Sequence, residues 1–303
     1  MSLAGVNRPS ARQLDKLGGH AARNHARTRI DQEFTHMKVT KRRDAMLQAV
    51  LGGMTDVATL CEHFGMSEAT VRRDLRALAS DNRILRTYGG AAAVGSHERE
   101  PSLEERRISS REQKEAIAQA ASTFVEDGDT VFLDSGTTTA ALARLLAGRD
   151  SVHVVTNNLL VVSPLVASGV QVTVIGGDVR SSSMSTLGPL AQIALSRLSV
   201  DKAFLGADGI VAELGLCEAS IEQSYLKECV IRQAAQVFVL VTADKLGRAS
   251  QQHWTPLERD WTLITDDAAQ PEQLEPFETL ERATVRAVSV KAPTASGASS
   301  QVQ

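Results

Sequence analysis

Aromatic side chains, cysteines and long apolar runs are all scarce in this chain of 303 residues. Aromatic residues make up 4% of the chain and hydrophobic residues 43%, a balance that favours aliphatic α/β cores over an aromatic-rich β-sandwich. The cysteines, Cys61, Cys217 and Cys229, fit no metal-ligand spacing, so we expect them to be small buried residues of helices in a reducing compartment. No apolar run approaches the roughly 18 residues of a membrane span, and no signal-peptide core precedes Thr40. We therefore expect a cytoplasmic protein that needs neither a metal nor a cofactor.

Charge is distributed unevenly along the chain, although the net charge of the whole is only −3. Residues 1–95 hold 15 Lys and Arg against 9 Asp and Glu, a net of +6, so the remainder carries −9. This asymmetry is typical of a chain in which one part meets phosphates, although a solvated basic tail would show it too. At roughly 150 residues per domain, the length allows about two domains.

The composition predicts five segments. They are a disordered extension over 1–37, a winged helix-turn-helix domain over 38–95, a linker over 96–110, an α/β domain over 111–290 and a disordered tail over 291–303. The extension is polar and lacks apolar periodicity. Two explanations of it stay open, a mis-assigned start and a basic arm that contacts DNA.

The first domain shows three helical patterns followed by a turn. One helix is predicted over 41–53; Asp56 caps a second, which ends at Gly65, and Ser67 caps a third. Two short helices joined by a few residues that include glycine form a helix-turn-helix. The residues on either side of Tyr88 and its two glycines predict a tight β-turn, hence a wing.

The third helix, SEATVRRDLRAL (67–78), is the most specific feature of this domain. It should bury Val71, Leu75 and Leu78 and present polar side chains on its other face. In the major groove, arginine binds guanine, while hydroxyls and other arginines hold phosphates. The predicted DNA-binding residues are Ser67, Glu68, Thr70, Arg72, Arg73 and Arg76 on this helix, Lys41, Arg42 and Arg43 on the first helix, and Arg86 and Tyr88 in the wing. The alternative is a charged solvent face on an ordinary three-helix domain.

From Lys114 onward, aliphatic strands alternate with helices. The predicted strands are 131–134, 152–156, 172–176, 202–207, 237–243, 261–265 and 284–289, and the predicted helices lie near 111–125, 138–148, 158–168, 187–198, 219–235 and 271–282. Such strands with crossover helices indicate a mainly parallel sheet that is covered on both faces.

Polar residues follow five of these strands, and DSGTTT (134–139) is the strongest of the five motifs. Gly136 permits close backbone approach, and the N–H groups of the next helix face any bound anion; a capped helix entrance without a ligand is the alternative. Ligands of open α/β sheets bind beyond the carboxyl ends of the strands. The predicted effector-binding residues are Asp134, Ser135, Gly136, Thr137, Thr138, Thr139, Thr156, Asn157, Gly176, Gly177, Arg180, Gly206, Asp208, Gly209, Lys227 and Lys245. Arg180 and Lys245 are the favoured cations for a sugar phosphate, whereas for Lys227 a solvated helix lysine is an equal alternative.

These motifs resemble those of the DeoR family of transcription regulators. Residues 41–91 are similar to the DeoR-type helix-turn-helix through SEATVRRDL and RTYGGA, with Tyr88 where members often have His. The second half resembles the DeoR sensor domain through DSGTTT, VVTNN, GGDVR, FLGADGI, YLKE and TADKLGR. The resemblance spans Lys41 to Asp267. It implies a sensor fold like ribose-5-phosphate isomerase, a phosphorylated sugar or polyol as effector, and repression of a catabolic operon.

The sequence thus favours a repressor whose binding to double-stranded operator DNA and to the effector oppose each other through linkage. We expect a homo-oligomer, a dimer or tetramer, because such proteins pair to match two half-sites. One alternative is an enzyme, a sugar-phosphate isomerase or deaminase with an appended DNA-binding domain, in which Asp134, Asp208 and Asp244 act as acid or base. Another is a non-specific architectural DNA binder, which the acidic second half disfavours.

Overall fold

The structure is a computed structural model that describes residues 39–51, 54, 56–81, 83–87, 90–93, 100–249 and 251–290. The predicted extension 1–37, the predicted tail 291–303 and Tyr88 lie outside the described residues. The chain divides into two compact units, Met1–Val94 and Gly95–Gln303. Within the described ranges, no helix has the length and apolar character needed to cross a membrane.

Three helices and a hairpin form the described part of the first unit. They are α1 (Val39–Leu51), α2 (Val57–Phe64), α3 (Glu68–Ser80), β1 (Ile84–Thr87) and β2 (Gly90–Ala93), and the two strands pair antiparallel. Asp56 caps α2 as predicted, because its carboxylate accepts a hydrogen bond from the Thr59 N–H at 2.9 Å. Gly65 ends α2 in the left-handed conformation, with φ at 60°.

The core of the first unit lies between the three helices. Val71, Leu75 and Leu78 of α3 are 0%, 0% and 1% exposed, and they pack with residues such as Met46 of α1 and Leu60 of α2. Burial of each of these side chains stabilises the unit by about 1.5–3 kcal/mol. The predicted inner face of the third helix is therefore confirmed, and it fixes which residues α3 presents outward.

The second unit contains the remaining elements. They are α4 (Leu103–Ile108), α5 (Arg111–Ser122), β3 (Thr130–Leu133), α6 (Thr137–Leu146), β4 (His153–Thr156), α7 (Leu159–Ala167), β5 (Gln171–Val174), β6 (Asp178–Arg180), β7 (Ser185–Leu187), α8 (Pro189–Leu195), β8 (Val200–Leu205), β9 (Gly209–Val211), β10 (Gly215–Glu218), α9 (Ile221–Gln233), β11 (Ala234–Leu240), β12 (His253–Thr255), β13 (Trp261–Asp266), α10 (Pro271–Glu278) and β14 (Ala283–Val288).

A seven-stranded sheet organises this unit, with strand order β14-β13-β11-β8-β3-β4-β5. All six neighbouring pairs are parallel, so the predicted mainly parallel α/β fold is confirmed. From β3 the chain adds β4 and β5 on one side and then crosses back to add β8 and the later strands on the other. The order therefore reverses between β3 and β8, the point at which open α/β sheets bind ligands.

Helices cover both faces of the sheet. One core cluster contains residues of α5, α6 and α7, such as Ile117, Leu142 and Val161. The other contains residues of α8, α9 and α10, such as Leu226 and Phe277. Successive strand residues belong to opposite clusters, as expected for strands that are buried on both sides.

Several elements differ from the sequence prediction. Helix α4 lies inside the predicted linker 96–110, and its capping box formed by Ser102 and Glu105 explains why so short a helix forms there. An antiparallel hairpin, β6–β7, and a three-stranded sheet, β12-β10-β9, were not predicted, because short segments such as Asp178–Arg180 and His253–Thr255 lack an aliphatic run. The expectation of buried helical cysteines is wrong for Cys217, which lies on β10, and for Cys61, which is only partly buried.

Candidate DNA interface and effector site

The outward face of α3 carries the residues predicted for DNA contact. Ser67, Glu68, Arg73 and Arg76 are exposed, and Thr70 and Arg72 are partly exposed. Nη2 of Arg72 lies 2.6 Å from Oε1 of Glu68, one helical turn earlier. This ion pair holds the Arg72 guanidinium along the helix. Ser67 precedes the helix, but its hydroxyl contacts the Thr70 hydroxyl at 3.0 Å instead of capping a backbone N–H.

Asp74 is the one buried acidic residue on the same helix, and it accounts for two predicted DNA contacts. Its carboxylate is 0% exposed and accepts hydrogen bonds from Nε of Arg42 at 2.6 Å and of Arg43 at 3.2 Å. The hydrogen bond with Asp74 raises the pKa of Arg42. The structure thus places Arg42 and Arg43 in ion pairs between α1 and α3, whereas the sequence predicted free phosphate clamps.

The other predicted DNA-binding residues lie on α1 and the wing. Lys41 is exposed at the start of α1. Arg86 lies on β1 in register with Ala91 of β2, and Tyr88 lies outside the described residues. The structure therefore gathers the α3 residues on one face, and for all of these residues the contact with DNA stays a prediction.

A polar cavity lies at the switch point between β3 and β8. It is lined by residues that follow β3, β8 and β11 and by residues of α4, β10 and α9: Arg106, Ser135, Gly136, Thr137, Thr138, Thr139, Gly206, Ala207, Asp208, Glu218, Gln223, Lys227, Leu240 and Lys245. Nine of the predicted effector-binding residues are among them. The carboxyl ends of parallel strands meet at one sheet edge, which brings these distant segments together.

The start of α6 contributes backbone donors to this cavity. Gly136 precedes the helix in an extended conformation, and among the described residues no side chain caps α6. The first N–H groups of a helix have no partner within the helix, so those at Thr137 and Thr138 remain available to an anion. A Cβ atom built on Gly136 meets only the Thr139 hydroxyl, at 3.6 Å, so the protein itself leaves the space beside this backbone open.

Lys227 is buried among carboxylates in the wall of the cavity. Its Nζ donates a hydrogen bond to Glu218. The same Nζ donates to the Gly206 carbonyl at 2.7 Å and lies 3.2 Å from Oδ2 of Asp134. Burial alone would lower the pKa of Lys227, but Asp134 and Glu218 raise it, so the ammonium stays charged. Burial raises the pKa of Glu218 to about 8 against the attraction of Lys227. The alternative for Lys227, a solvated helix lysine, is wrong because its side chain is buried and paired.

Of the two cations favoured for a phosphoryl group, Lys245 lines the cavity and Arg180 does not. Lys245 Nζ donates to the Ala207 carbonyl at 2.5 Å, and burial lowers its pKa. Arg180 forms a two-pronged ion pair with Glu100, with Nη1 at 2.9 Å from Oε1. Glu100 lies in the predicted linker, where no sequence pattern indicates such a partner.

Other predicted effector residues have structural tasks. Thr139 and Thr156 donate their hydroxyls to backbone carbonyls, each at 2.6 Å. A Cβ atom on Gly177 or Gly209 would lie 2.1 or 2.2 Å from a backbone oxygen, so both glycines serve close packing. Thr139 still lines the cavity, whereas the following predicted residues lie outside its lining: Asp134, Thr156, Asn157, Gly176, Gly177 and Gly209.

Five residues of the cavity lining were not predicted from the sequence, and three of them, Arg106, Glu218 and Gln223, are polar. Arg106 lies in the predicted linker, Glu218 on an unpredicted strand, and Gln223 at the start of α9. Gln223 Oε1 and Arg106 Nε are buried and have no hydrogen-bond partner among the described residues. For Glu218 and Gln223, the one sequence feature that could have indicated the cavity is that both lie shortly before the YLKE motif.

Comparison with known proteins matches both units of the chain. Residues 42–97 match the family described as DeoR-like helix-turn-helix domain, and residues 109–267 match the DeoR C terminal sensor domain. The HTH-type transcriptional regulator GlpR of Haloferax volcanii is 34% identical over 72% of this chain and 87% of that protein. The glycerol-3-phosphate regulon repressor of Escherichia coli is 34% identical over 76% of this chain and 92% of that protein.

Among solved structures, ribose 5-phosphate isomerase from Methanocaldococcus jannaschii is 21% identical, covering 44% of this chain and 52% of that one, with a TM-score of 0.33. At this TM-score the likeness supports no conclusion about ligand or activity.

Proposed function

The chain belongs to the DeoR family of DNA-binding transcription regulators, and from that premise we propose that it represses an operon for sugar or polyol catabolism and releases its operator when a phosphorylated sugar or polyol binds the cavity at the switch point. An enzyme, the alternative weighed from the sequence, is not favoured, because the curated relatives are regulators. The protein would act in the cytoplasm, where bacterial operators lie.

The outward face of α3 supports the operator half of the proposal. Arg73 and Arg76 are exposed there, on a helix whose other face is locked into the core. Arginines so placed reach base edges and phosphates when the helix enters the major groove. Arg73 makes no ion pair within the described residues, so its guanidinium is available, and we assign it as the first candidate for contact with DNA.

The cavity at the switch point is the single observation that carries the effector half. Backbone N–H groups at the start of α6 and the ammonium of Lys245 suit a phosphoryl group, while Asp208 and the amide oxygen of Gln223 suit hydroxyl donors. A ligand with a phosphoryl group at one end and hydroxyls at the other satisfies both. Phosphorylated sugars and polyols have this chemistry.

Repression further requires that the two ligands oppose each other. An effector that binds better to the arrangement with poor operator contact lowers operator affinity, and the operator lowers effector affinity by the same factor. We propose that the functional form is a homo-oligomer that presents paired α3 helices to two half-sites.

The test begins with operator fragments selected from genomic DNA by the full-length protein. Their affinity is then measured by fluorescence anisotropy with a panel containing glycerol 3-phosphate, ribose 5-phosphate, fructose 1-phosphate and glucosamine 6-phosphate. We expect at least one compound to release the operator while the unphosphorylated parent compounds do not. If no panel compound alters operator binding, the effector half of the proposal is wrong.

Arg73→Ala tests the operator half, with Arg111→Ala as the matched control in the second unit. Loss of an arginine contact to a base or phosphate should weaken operator binding by about 10- to 100-fold. The control, whose side chain is 75% exposed and pairs with Glu115 on its own helix, should bind like the wild type. Equal binding by both variants would remove Arg73 from the interface.

A further inference from the structure

Arg106 connects the cavity to the segment that leads from the first unit. It lies on α4 within residues 100–110, which we call the connector. Its side chain lines the cavity together with the start of α6 and Lys245. Nη2 of Arg106 donates to the Ser182 carbonyl at 2.6 Å and lies 3.5 Å from Glu100. The side chain therefore spans from the connector to the turn between β6 and β7.

The guanidinium keeps an unused donor in this position. Arg106 Nε is buried and has no hydrogen-bond partner among the described residues. Gln223, which is 6% exposed, lines the same cavity with its Oε1 likewise unpaired. Buried polar groups of folded proteins are almost always paired, so a donor and an acceptor left unpaired in one cavity point to a ligand that offers both kinds of group.

Two lysines, Lys114 and Lys245, lie close enough to Arg106 for the positive charges to interact. Burial and the nearby cations Lys245 and Arg106 together lower the pKa of Lys114 to about 8, against the opposing effect of Asp244. Burial also lowers the pKa of Lys245; three carboxylates, Asp208, Asp244 and Glu218, oppose this effect, and Arg106 adds to it. Cations that depress one another's pKa gain from an anion placed among them.

We propose that Arg106 is a ligand of the effector's phosphoryl group and the residue through which the connector registers that the cavity is occupied. This inference rests on the proposed function and adds a residue and a route to it. A planar guanidinium with several fixed donors suits a phosphoryl group better than an ammonium does. Once bound, Arg106 exchanges its contacts with Glu100 and Ser182 for contacts with the phosphoryl oxygens.

Hydrogen bonds that involve Glu100, Arg106 and Ser109 hold the connector to the rest of the second unit. Lys114 Nζ donates to the carbonyls of Arg106 at 2.5 Å and Ser109 at 2.6 Å. Glu100 is shared between Arg106 and Arg180. A change of partner at Arg106 therefore alters how the connector, near the start of the second unit, is held.

The test compares Arg106→Ala and Arg106→Lys with Arg107→Ala in the full-length protein. Arg107 is the matched control because it lies on the same helix, is 63% exposed, pairs with Glu104 at 3.8 Å and does not line the cavity. Binding of inorganic phosphate and of the panel compounds is measured by calorimetry and thermal shift. Circular dichroism without ligand establishes that each variant is folded.

We expect Arg106→Ala to weaken binding of phosphate and of the phosphorylated compound by about 10- to 100-fold, the loss that corresponds to one charge-assisted hydrogen bond. Arg107→Ala should bind as the wild type does. Equal affinities for phosphate in Arg106→Ala and Arg107→Ala would overturn the inference while leaving the proposed function intact. Failure of the wild type to bind any phosphorylated compound would overturn both.

Arg106→Lys separates ligand binding from transmission to DNA. It keeps the charge and a donor for Ser182 but loses Nε, so release of the operator is expressed relative to this variant's own operator affinity without effector. At saturating effector, the operator should be released less completely than from the wild type. Complete release at saturation would show that Arg106 binds the phosphoryl group without informing the connector, and the second half of the inference would fall.

Discussion

Replacement of Asp74 by alanine should loosen the DNA-binding unit without touching the proposed DNA-contacting face. The carboxylate is fully buried between α3 and α1, where it accepts from Arg42 and Arg43. A hydrogen bond to a charged group contributes about 1.5–3 kcal/mol. The Arg42 contact counts fully because its side chain is 16% exposed, whereas the longer contact to Arg43, which is 32% exposed, counts for about 0.5–1 kcal/mol. Together they predict a loss of about 2–4 kcal/mol.

Such a loss is a large fraction of the roughly 5–15 kcal/mol that stabilises a typical domain. The chain offers a way to observe it in one unit alone, because both tryptophans, Trp254 and Trp261, lie in the second unit. In a urea titration, far-UV circular dichroism reports on the helices of both units, while tryptophan fluorescence follows only the second. We expect Asp74→Ala to shift an early circular dichroism transition to lower urea and to leave the fluorescence transition unchanged.

Asp44→Ala is the matched control, since Asp44 pairs with Arg83 at 2.9 Å on the surface, with side chains 52% and 45% exposed. Exposed pairs of this kind contribute about 0–1 kcal/mol. If Asp74→Ala and Asp44→Ala shift the transition equally, the buried ion pairs do not hold α1 to α3, and the reassignment of Arg42 and Arg43 as structural residues is refuted.

Three further predictions concern the core, the cavity and pH. Leu75→Asp places an unpaired charge in the core of the first unit, so operator binding and the early circular dichroism transition should both be lost; a normal transition would show that the helix face is misassigned. Gly136→Val fills the space beside the start of α6 and should abolish effector response with operator binding retained, whereas Gly176→Val, outside the cavity, should respond normally; a normal response in both would exclude the α6 entrance. The pKa of Lys114 is lowered to about 8 from 10.5 by burial, so the unfolded chain holds this proton more tightly and the free energy of unfolding of the second unit should rise between about pH 8 and pH 10. Lys114→Met should reduce that slope, which urea titrations followed by fluorescence would measure, and an unchanged slope would exclude Lys114 as its source.

The elements that carry strong local patterns were predictable from the sequence. All seven strands of the central sheet were predicted, because aliphatic segments such as 131–133 and 237–240 are buried on both faces. The Asp56 cap and the Gly65 stop defined α2, and the spacing of Val71, Leu75 and Leu78 defined the buried side of α3.

What the sequence did not reveal depends on contacts between distant residues. The ion pair of Arg42 with Asp74 spans 32 positions and that of Arg180 with Glu100 spans 80, so no local pattern records either one. Arg106 joins the cavity only because α4 docks on a turn 76 positions away. The residues that surround a strand end are predictable as a group, but which of them turn inward is decided by packing.

The central claim is that occupation of the sensor cavity and operator binding oppose each other in one chain. Calorimetric titration of the full-length protein with the panel compound that releases DNA tests it most directly, performed once on the free protein and once with saturating operator. We predict weaker effector binding in the presence of operator, by the same factor by which the effector weakens operator binding. Identical effector affinity with and without operator would contradict the account.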